Sequence, residues 1–307
     1  MSTQPLRAYG LVLAGAACLS FSAIVVKIAG VDAATTAFLR CAIAVVVLLP
    51  MAWAEVRREG RLAARGWWFA AAAGAALGVD YILWTESIFR VGAGIATVLI
   101  NVQVLVLPLL ALIVEREPIG RRFLWALPAM LIGIGLVGGL AAGAAGGRSG
   151  SAAAGSSAYI FGVVAGVIAG VCYGTYLYLS RRAGKVQPRL TVTQLCVATA
   201  AASASSALLS PLGSGLHLGR LTWQQWALMV VLAVVGQVIS WLLIHRGSAG
   251  LLPRQTAALL LVQPVIALLL AAAILAERPA VSQWLGVVLV LAAVAVANRV
   301  IPLGSRS

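Results

Sequence analysis

Charge is what this chain has least of. Asp, Glu, Lys and Arg make up 10% of its 307 residues, against roughly 25% in a soluble domain. Only 8 residues are acidic, too few for an ordinary solvated surface. Histidine is almost missing, with 2 residues, and neither His217 nor His245 has a sequence companion for metal binding or nucleophilic catalysis. Cys18, Cys41, Cys172 and Cys196 show no paired spacing, which argues against disulfides and a zinc site. Alternation of polar and apolar positions is lacking, which excludes an outer-membrane barrel. The glycines Gly133, Gly135 and Gly138 spell G-x-G-x-x-G, but inside an apolar run. They read as helix packing, since a nucleotide cradle needs a strand before them. No cofactor is expected.

Apolar sequence is what fills the space. Hydrophobic residues make up 62% of the chain, distributed as runs of about 18–24 residues, the length that crosses a ~30 Å bilayer core as a helix. Ten such runs are read, at 8–28, 35–53, 67–89, 94–114, 121–141, 158–180, 191–211, 223–245, 254–276 and 282–301. Bare hydrocarbon satisfies no backbone group, so these runs must be helical. The expectation is an all-α integral membrane protein of ten transmembrane helices. No cleavable signal is apparent, because the first run is longer than a signal core and further runs follow at once.

The net charge of +14 would point to nucleic acid in a soluble protein. Here it follows the loops instead. With a cytoplasmic N-terminus, 16 of the 22 basic residues fall inside and 4 outside, with Lys27 and Arg40 in or beside the runs. This is a strong positive-inside bias. It predicts both termini in the cytoplasm, a lipid environment and no nucleic-acid partner.

The chain repeats itself. LINVQVLVLPLLALIVEREP at 99–118 lies over LLLVQPVIALLLAAAILAER at 259–278, an offset of 160 that puts Gln103 on Gln263 and Glu117 on Glu277. Nearer the N-terminus the offset is 154: LSFSAIVVKIAG (19–30) lies over YGTYLYLSRRAG (173–184), Lys27 over Arg181 and Arg40 over Gln194. Residues 1–142 form one unit, the Gly/Ala/Ser segment 143–157 a linker, and 158–307 the second unit. Five spans per unit is an odd number. The second unit therefore starts on the opposite side of the membrane, and the halves have inverted topology, a recurring plan of secondary transporters with the substrate site near the midplane between repeats.

FSAIVVKIAG, TTAFLRCAIA, SIFRVGAGIATVL, the Glu-Arg cluster and the Gly-rich span that follows it resemble the EamA repeat of the drug/metabolite transporter superfamily. The resemblance runs over residues 8–301. It implies a bacterial ten-helix exporter in the cell inner membrane, with amino acids, other metabolites or xenobiotics as the range of solutes. Two positions depart from the pattern. An aromatic-Gly pair common in the first span is Leu19-Ser20 here, though Tyr173-Gly174 keeps it, and the basic residue Arg40 has Gln194 as its mate.

Asp80 is the sharpest single signal. An ionised carboxylate at a helix centre costs at least ~2.5–3.5 kcal/mol, so it should face a cavity or a basic partner. Substrate-amine binding, proton binding and a structural ion pair are the open roles. Tyr81, Trp84, Tyr173, Tyr176 and Trp241 are aromatics that can stack a substrate or coat a cation, against the commoner use in packing and interfacial belts. Asn101, Gln103, Gln237 and Gln263 are polar residues among Leu and Val. They either border a path for substrate or hydrogen-bond between helices. Lys27 and Glu86 near the outer ends of their spans, with Arg40, form a candidate electrostatic gate, and snorkelling explains Lys27 equally well. Pro108 and Pro264 are expected to interrupt their helices. The stripe Gly162, Gly166, Gly170 and Gly174 brings backbones close, either as static packing or as a sliding surface.

A small-molecule secondary transporter is therefore the expected function, driven by a gradient, protons included, or by equilibration. Efflux of drugs or cationic compounds is the alternative. A membrane-embedded enzyme would want a cluster of acids, histidines or a nucleophile with its base, and the spans hold only scattered acids. Composition says nothing of oligomeric state.

Overall fold

The computed structural model describes residues 3–116, 121–137, 157–212, 215–248, 251, 259–260, 262–277 and 280–297. Every regular element among them is helical. They are α1 (Thr3–Ala29), α2 (Ala33–Glu59), α3 (Ala64–Val91), α4 (Ala93–Leu99), α5 (Gln103–Glu115), α6 (Arg121–Val137), α7 (Ser157–Val186), α8 (Thr191–Leu209), α9 (Trp223–Ala233), α10 (Ser240–Ser248), α11 (Val262–Leu275) and α12 (Val281–Ala297). A 3₁₀ turn, Ile100–Val102, joins α4 to α5, and a π-helical stretch, Val234–Ile239, joins α9 to α10. Among the described residues, six continuous stretches are long and apolar enough to cross a bilayer, and shorter apolar helices accompany them. The Gly/Ala/Ser linker lies outside the described residues except for Ser157, and so do Gly138 and Glu117.

Local chemistry sets the helix ends. Asp32 precedes α2 and accepts a hydrogen bond from the Thr35 amide at 2.9 Å, satisfying one of the donors a helix start leaves open. Thr222 and Gln225 form a reciprocal capping box at the start of α9, so two open donors are met at once. Gly92 both ends α3 and precedes α4, with φ 97°, a conformation costly for a residue with a Cβ.

The interruptions do not follow the prolines. Helix α5 runs through position 108, and the break in the fourth run comes earlier, at Ile100–Val102. Helical residues stand on both sides of Pro264, at 259–260 and from Val262 onward. The π-helical stretch in the eighth run contains no proline; Gly236 in its middle packs against Ser22 of α1.

The two halves interlace. Helix α3 packs along α7 and α8, α2 along α8 and α9, α1 along α10 and α11, α4 against α11, α5 against α7, and α6 against α12. Exchanging each helix for its repeat mate returns the same set of principal contacts, as a two-fold relation between halves requires. Mates also run antiparallel. Glu55 near the end of α2 meets Val192 and Thr193 at the start of α8, while Ser203 farther along α8 reaches the Phe38 carbonyl near the start of α2. Ala93, the first residue of α4, meets Glu277 just past the end of α11. A two-fold axis that leaves mates antiparallel lies across the helices, not along them.

Small residues allow the close approach. A methyl on Gly170 would come within 2.8 Å of the Ile100 carbonyl oxygen, and one on Gly174 within 2.6 Å of the Val106 Cβ. The glycine stripe of α7 thus lies against the broken fourth span. Gly133 meets the Gly286 carbonyl between α6 and α12, a packing contact of the kind small residues permit. Outward faces are apolar: Val46, Ile113, Leu208 and Val281 are each exposed, as lipid contact allows. Exposed tryptophans cluster near helix ends, Trp67 and Trp68 at the start of α3 and Trp223 at the start of α9, matching interfacial belts.

Candidate functional site

Asp80 of α3 and Arg40 of α2 are both buried, at 1% and 2% exposure, and they line one cavity. Its other walls are Leu19 and Ser22 of α1, Tyr81 and Trp84 of α3, Thr97 of α4, Ile100 of the 3₁₀ turn, Tyr173 of α7, Trp241 of α10 and Gln263 of α11. Both halves of the chain contribute. Tyr81 and Trp241 are repeat mates, as are Leu19 and Tyr173, so the cavity straddles the axis that relates the halves. About 30 Å³ of it is open to the centre of a water-sized sphere, room for a few waters at most.

Arg40 is held in place on two sides. Its Nη2 donates to the Gly236 carbonyl at 2.9 Å, inside the π-helical stretch, and Ser240 Oγ donates to the same oxygen at 2.9 Å. The guanidinium carbon lies 4.0 Å from the centre of the Tyr81 ring and 5.8 Å from that of Trp84, stacked as a cation on aromatic faces. Tyr81 is fixed in turn, its hydroxyl donating to Gln237 Oε1 at 2.5 Å. Gln237 is fully buried behind it and reaches Thr199 at 3.5 Å.

Asp80 has no such support. Neither carboxylate oxygen has a hydrogen-bond partner among the described residues, and no ion pair within 4.0 Å joins it to Arg40. Arg40 Nε, Trp84 Nε1 and Trp241 Nε1 are likewise buried without a partner among the described residues. Buried polar groups are satisfied in the great majority of cases. Four residues left open around one cavity make it the natural place for a polar ligand.

The cavity therefore gathers seven residues singled out from sequence: Arg40, Asp80, Tyr81, Trp84, Tyr173, Trp241 and Gln263. It leaves out others. Asn101 donates to the carbonyls of Thr97 at 2.9 Å and Val98 at 3.3 Å, oxygens beside the 3₁₀ turn, so its amide serves its own helix. Gln103 lies beyond the turn and does not line the cavity. Tyr176 stacks on Tyr173 at 5.9 Å and meets Trp241 edge-on at 5.5 Å, and it borders a separate small cavity with His245 and Gln194. Gln237 acts through Tyr81. Lys27 and Glu86 take different partners: Lys27 donates to the Ile88 carbonyl at 2.9 Å, and Glu86 pairs with Arg90 at 3.0 Å on an exposed helix turn. They form no gate pair in this conformation.

Sequence reasoning missed Leu19, Ser22, Thr97 and Ile100. Leu19 was legible in principle as the mate of Tyr173. Ser22 and Thr97 gave no signal, because their hydroxyls donate to the Leu19 carbonyl at 2.6 Å and the Ala93 carbonyl at 2.8 Å, an arrangement that any helix can use.

The sequence matches the profile described as the EamA-like transporter family over residues 6–139 and again over 160–299. The chain belongs to this family. Two successive matches also fit the internal repeat. EamA membership makes the protein a multi-pass membrane transporter of the drug/metabolite type, in a lipid environment and with a small-molecule substrate. No curated protein sequence matches. A solved structure described only as "Crystal structure of protein" is similar in fold, with a TM-score of 0.60 at 18% identity, covering 100% of this chain and 99% of that one.

Proposed function

We propose that the chain is a secondary transporter exporting small organic metabolites, amino acids or related solutes, across the inner membrane by alternating access. It does so with ten membrane-spanning helices in two inverted repeats, both termini cytoplasmic. One observation carries the reading: a cavity astride the repeat axis holds Asp80 and Arg40 with polar atoms open to a ligand. Tyr81, Trp84, Tyr173, Trp241 and Gln263 complete the substrate walls, and Tyr176 and Gln237 support them from behind. Antiparallel mates support the inverted arrangement, since a solute site on such an axis can open to either face by rocking one bundle against the other. The small volume suits a state between openings. Asp80 is also the group placed to carry a proton through the cycle.

Efflux of cationic compounds is the second reading, favoured by the aromatic side chains Trp84, Tyr173 and Trp241 around one carboxylate. Purified protein in proteoliposomes tests both, through uptake and counterflow with amino acids, nucleobases and cationic drugs. Saturable counterflow of at least one solute is expected. Vesicles indistinguishable from protein-free ones across the whole panel would contradict the proposal.

A further inference from the structure

We infer that the start of α3 and the end of α7 form a binding site for an anionic phosphate group, supplied by a membrane phospholipid. The site stands apart from the central cavity and from whatever solute the protein moves.

It is a pocket of about 300 Å³, lined by Arg65 and Phe69 of α3 and by Arg182, Lys185 and Val186 of α7. Ligand sites begin at this size. Three of these described lining residues are basic and none is acidic. The guanidinium carbons of Arg65 and Arg182 lie 5.8 and 5.6 Å from the centre of one ring, that of Phe69. Arg182 also lies 5.6 Å from the centre of the Tyr178 ring. Aromatic faces thus draw two like charges to one place, and an anion beside them relieves the repulsion. Phosphate oxygens match the guanidinium fork. Gln187 keeps the helix ends together, accepting from the Ala63 amide at 2.7 Å and donating to the Arg61 carbonyl at 3.3 Å. The pocket is built before a ligand arrives.

Helix packing does not explain the charges. Arg182 and Lys185 suit the end of a helix, but Arg65 sits in the first turn of α3, where the helix dipole favours an anion. Among the described residues that start has no acid in its first turn and no side-chain cap. The other repeat supplies a comparison. At offsets of 160 and 154, the mates of Arg65, Phe69, Arg182 and Lys185 are Gln225, Met229, Ile28 and Val31. There Gln225 of α9 donates to the Ala29 carbonyl of α1 at 3.2 Å, so the mate contact closes without basic residues. A positive-inside bias asks for basic loops, not for three basic side chains in one pocket.

Location assigns the phosphate to a lipid. Trp67 and Trp68, in the same turns of α3, are 45% and 69% exposed, as at a membrane interface. Val186 gives the pocket an apolar edge. Basic pockets between membrane helices are where anionic headgroups bind.

Native mass spectrometry of the full chain in detergent tests this, by titration with dioleoyl phosphatidylglycerol, dioleoyl phosphatidylcholine and glycerol phosphate. Both lipids carry a phosphate, but only phosphatidylglycerol keeps a net charge, so it should bind at least about 10-fold tighter. Arg65→Gln with Arg182→Gln should weaken it about 30-fold, roughly fivefold for each basic residue, and leave phosphatidylcholine unchanged. Arg57→Gln with Arg58→Gln removes the same charge from the exposed end of α2 and should leave every affinity unchanged. Equal binding of the two lipids by the unmodified protein overturns the inference without any variant having to fold. A loss in the Arg57 and Arg58 variant as large as in the Arg65 and Arg182 variant overturns it too. Displacement of phosphatidylglycerol by an equal concentration of glycerol phosphate would keep the phosphate site but overturn its assignment to a lipid.

Discussion

Glu277 accepts hydrogen bonds from the backbone amides of Ala93 at 2.8 Å and Gly94 at 3.2 Å, 184 and 183 positions earlier in the chain. A residue just past the end of α11 thus caps the first turn of α4 in the other repeat. Helix starts carry open donors and a partial positive charge, and a carboxylate answers both. This is what Glu277 of the second Glu-Arg-Pro cluster does, and it ties the halves together at one end of the bundle.

Removing that carboxylate should loosen the tie. Glu277→Ala is expected to cost about 1–2 kcal/mol, the usual worth of a lost cap. Gly92→Ala should cost at least as much, because its methyl would lie 2.8 Å from the Glu277 carboxylate on a backbone at φ 97°. Thermal unfolding of detergent-solubilised protein, followed by tryptophan fluorescence, checks both. Unchanged midpoints would show that the contact is incidental.

The α3–α8 contact makes a sharper forecast. A methyl on Gly74 would run directly into the Ala198 backbone carbonyl, whereas Gly10 has nothing within 4 Å of the same position. Backbone cannot yield as a flexible side chain can. Gly74→Leu should therefore abolish the monodisperse peak in size-exclusion chromatography, while Gly10→Ala should leave it unchanged. Equal tolerance at the two sites would mean that α3 and α8 are not packed this closely.

Topology is the third prediction. Single cysteines replacing Arg61 and Pro188, both exposed, should react with a membrane-impermeant maleimide only from the cytoplasmic side. One replacing Gly219 should react only from the outside. Labelling of Arg61→Cys and Pro188→Cys from opposite faces would break the inverted repeat.

Sequence went far toward this fold because hydrocarbon leaves so few options. Apolar runs must be helices, and each of the ten runs contains helix in the described residues. The two-repeat layout was legible in Gln103 and Gln263 and in Lys27 and Arg181. The interruptions were not legible. Pro108 drew attention to the wrong place, since neighbouring helices can absorb a proline in a membrane span, while at the turn Ile100–Val102 Asn101 donates to the carbonyls of Thr97 and Val98. Asp80 stood out by cost alone. Arg40 reads from sequence as a gate charge with Gln194 as its mate; the structure puts Arg40 on the cavity wall, whereas Gln194 donates to the Gln187 carbonyl at 2.7 Å near the end of α7. The two mates do different work, and only tertiary packing reveals it. Asn101 and Gln237 looked like cavity residues for the same reason: polarity identifies a residue that avoids lipid but not which interior group it meets.

The central claim is that solute passes through the cavity between the repeats, opening to one side at a time. The most direct measurement places a single cysteine at Thr97 in a background with Cys18, Cys41, Cys172 and Cys196 replaced by alanine. Thr97 is buried, at 2% exposure, on the cavity wall. The account predicts that Thr97→Cys reacts with an impermeant methanethiosulfonate added from either face, that transported solute slows the reaction, and that labelling blocks counterflow. A control cysteine at Ala23, buried at 0% exposure and not on that wall, should stay unreacted. Thr97→Cys as inert as the Ala23→Cys control from both faces, in protein that still transports, would contradict the account.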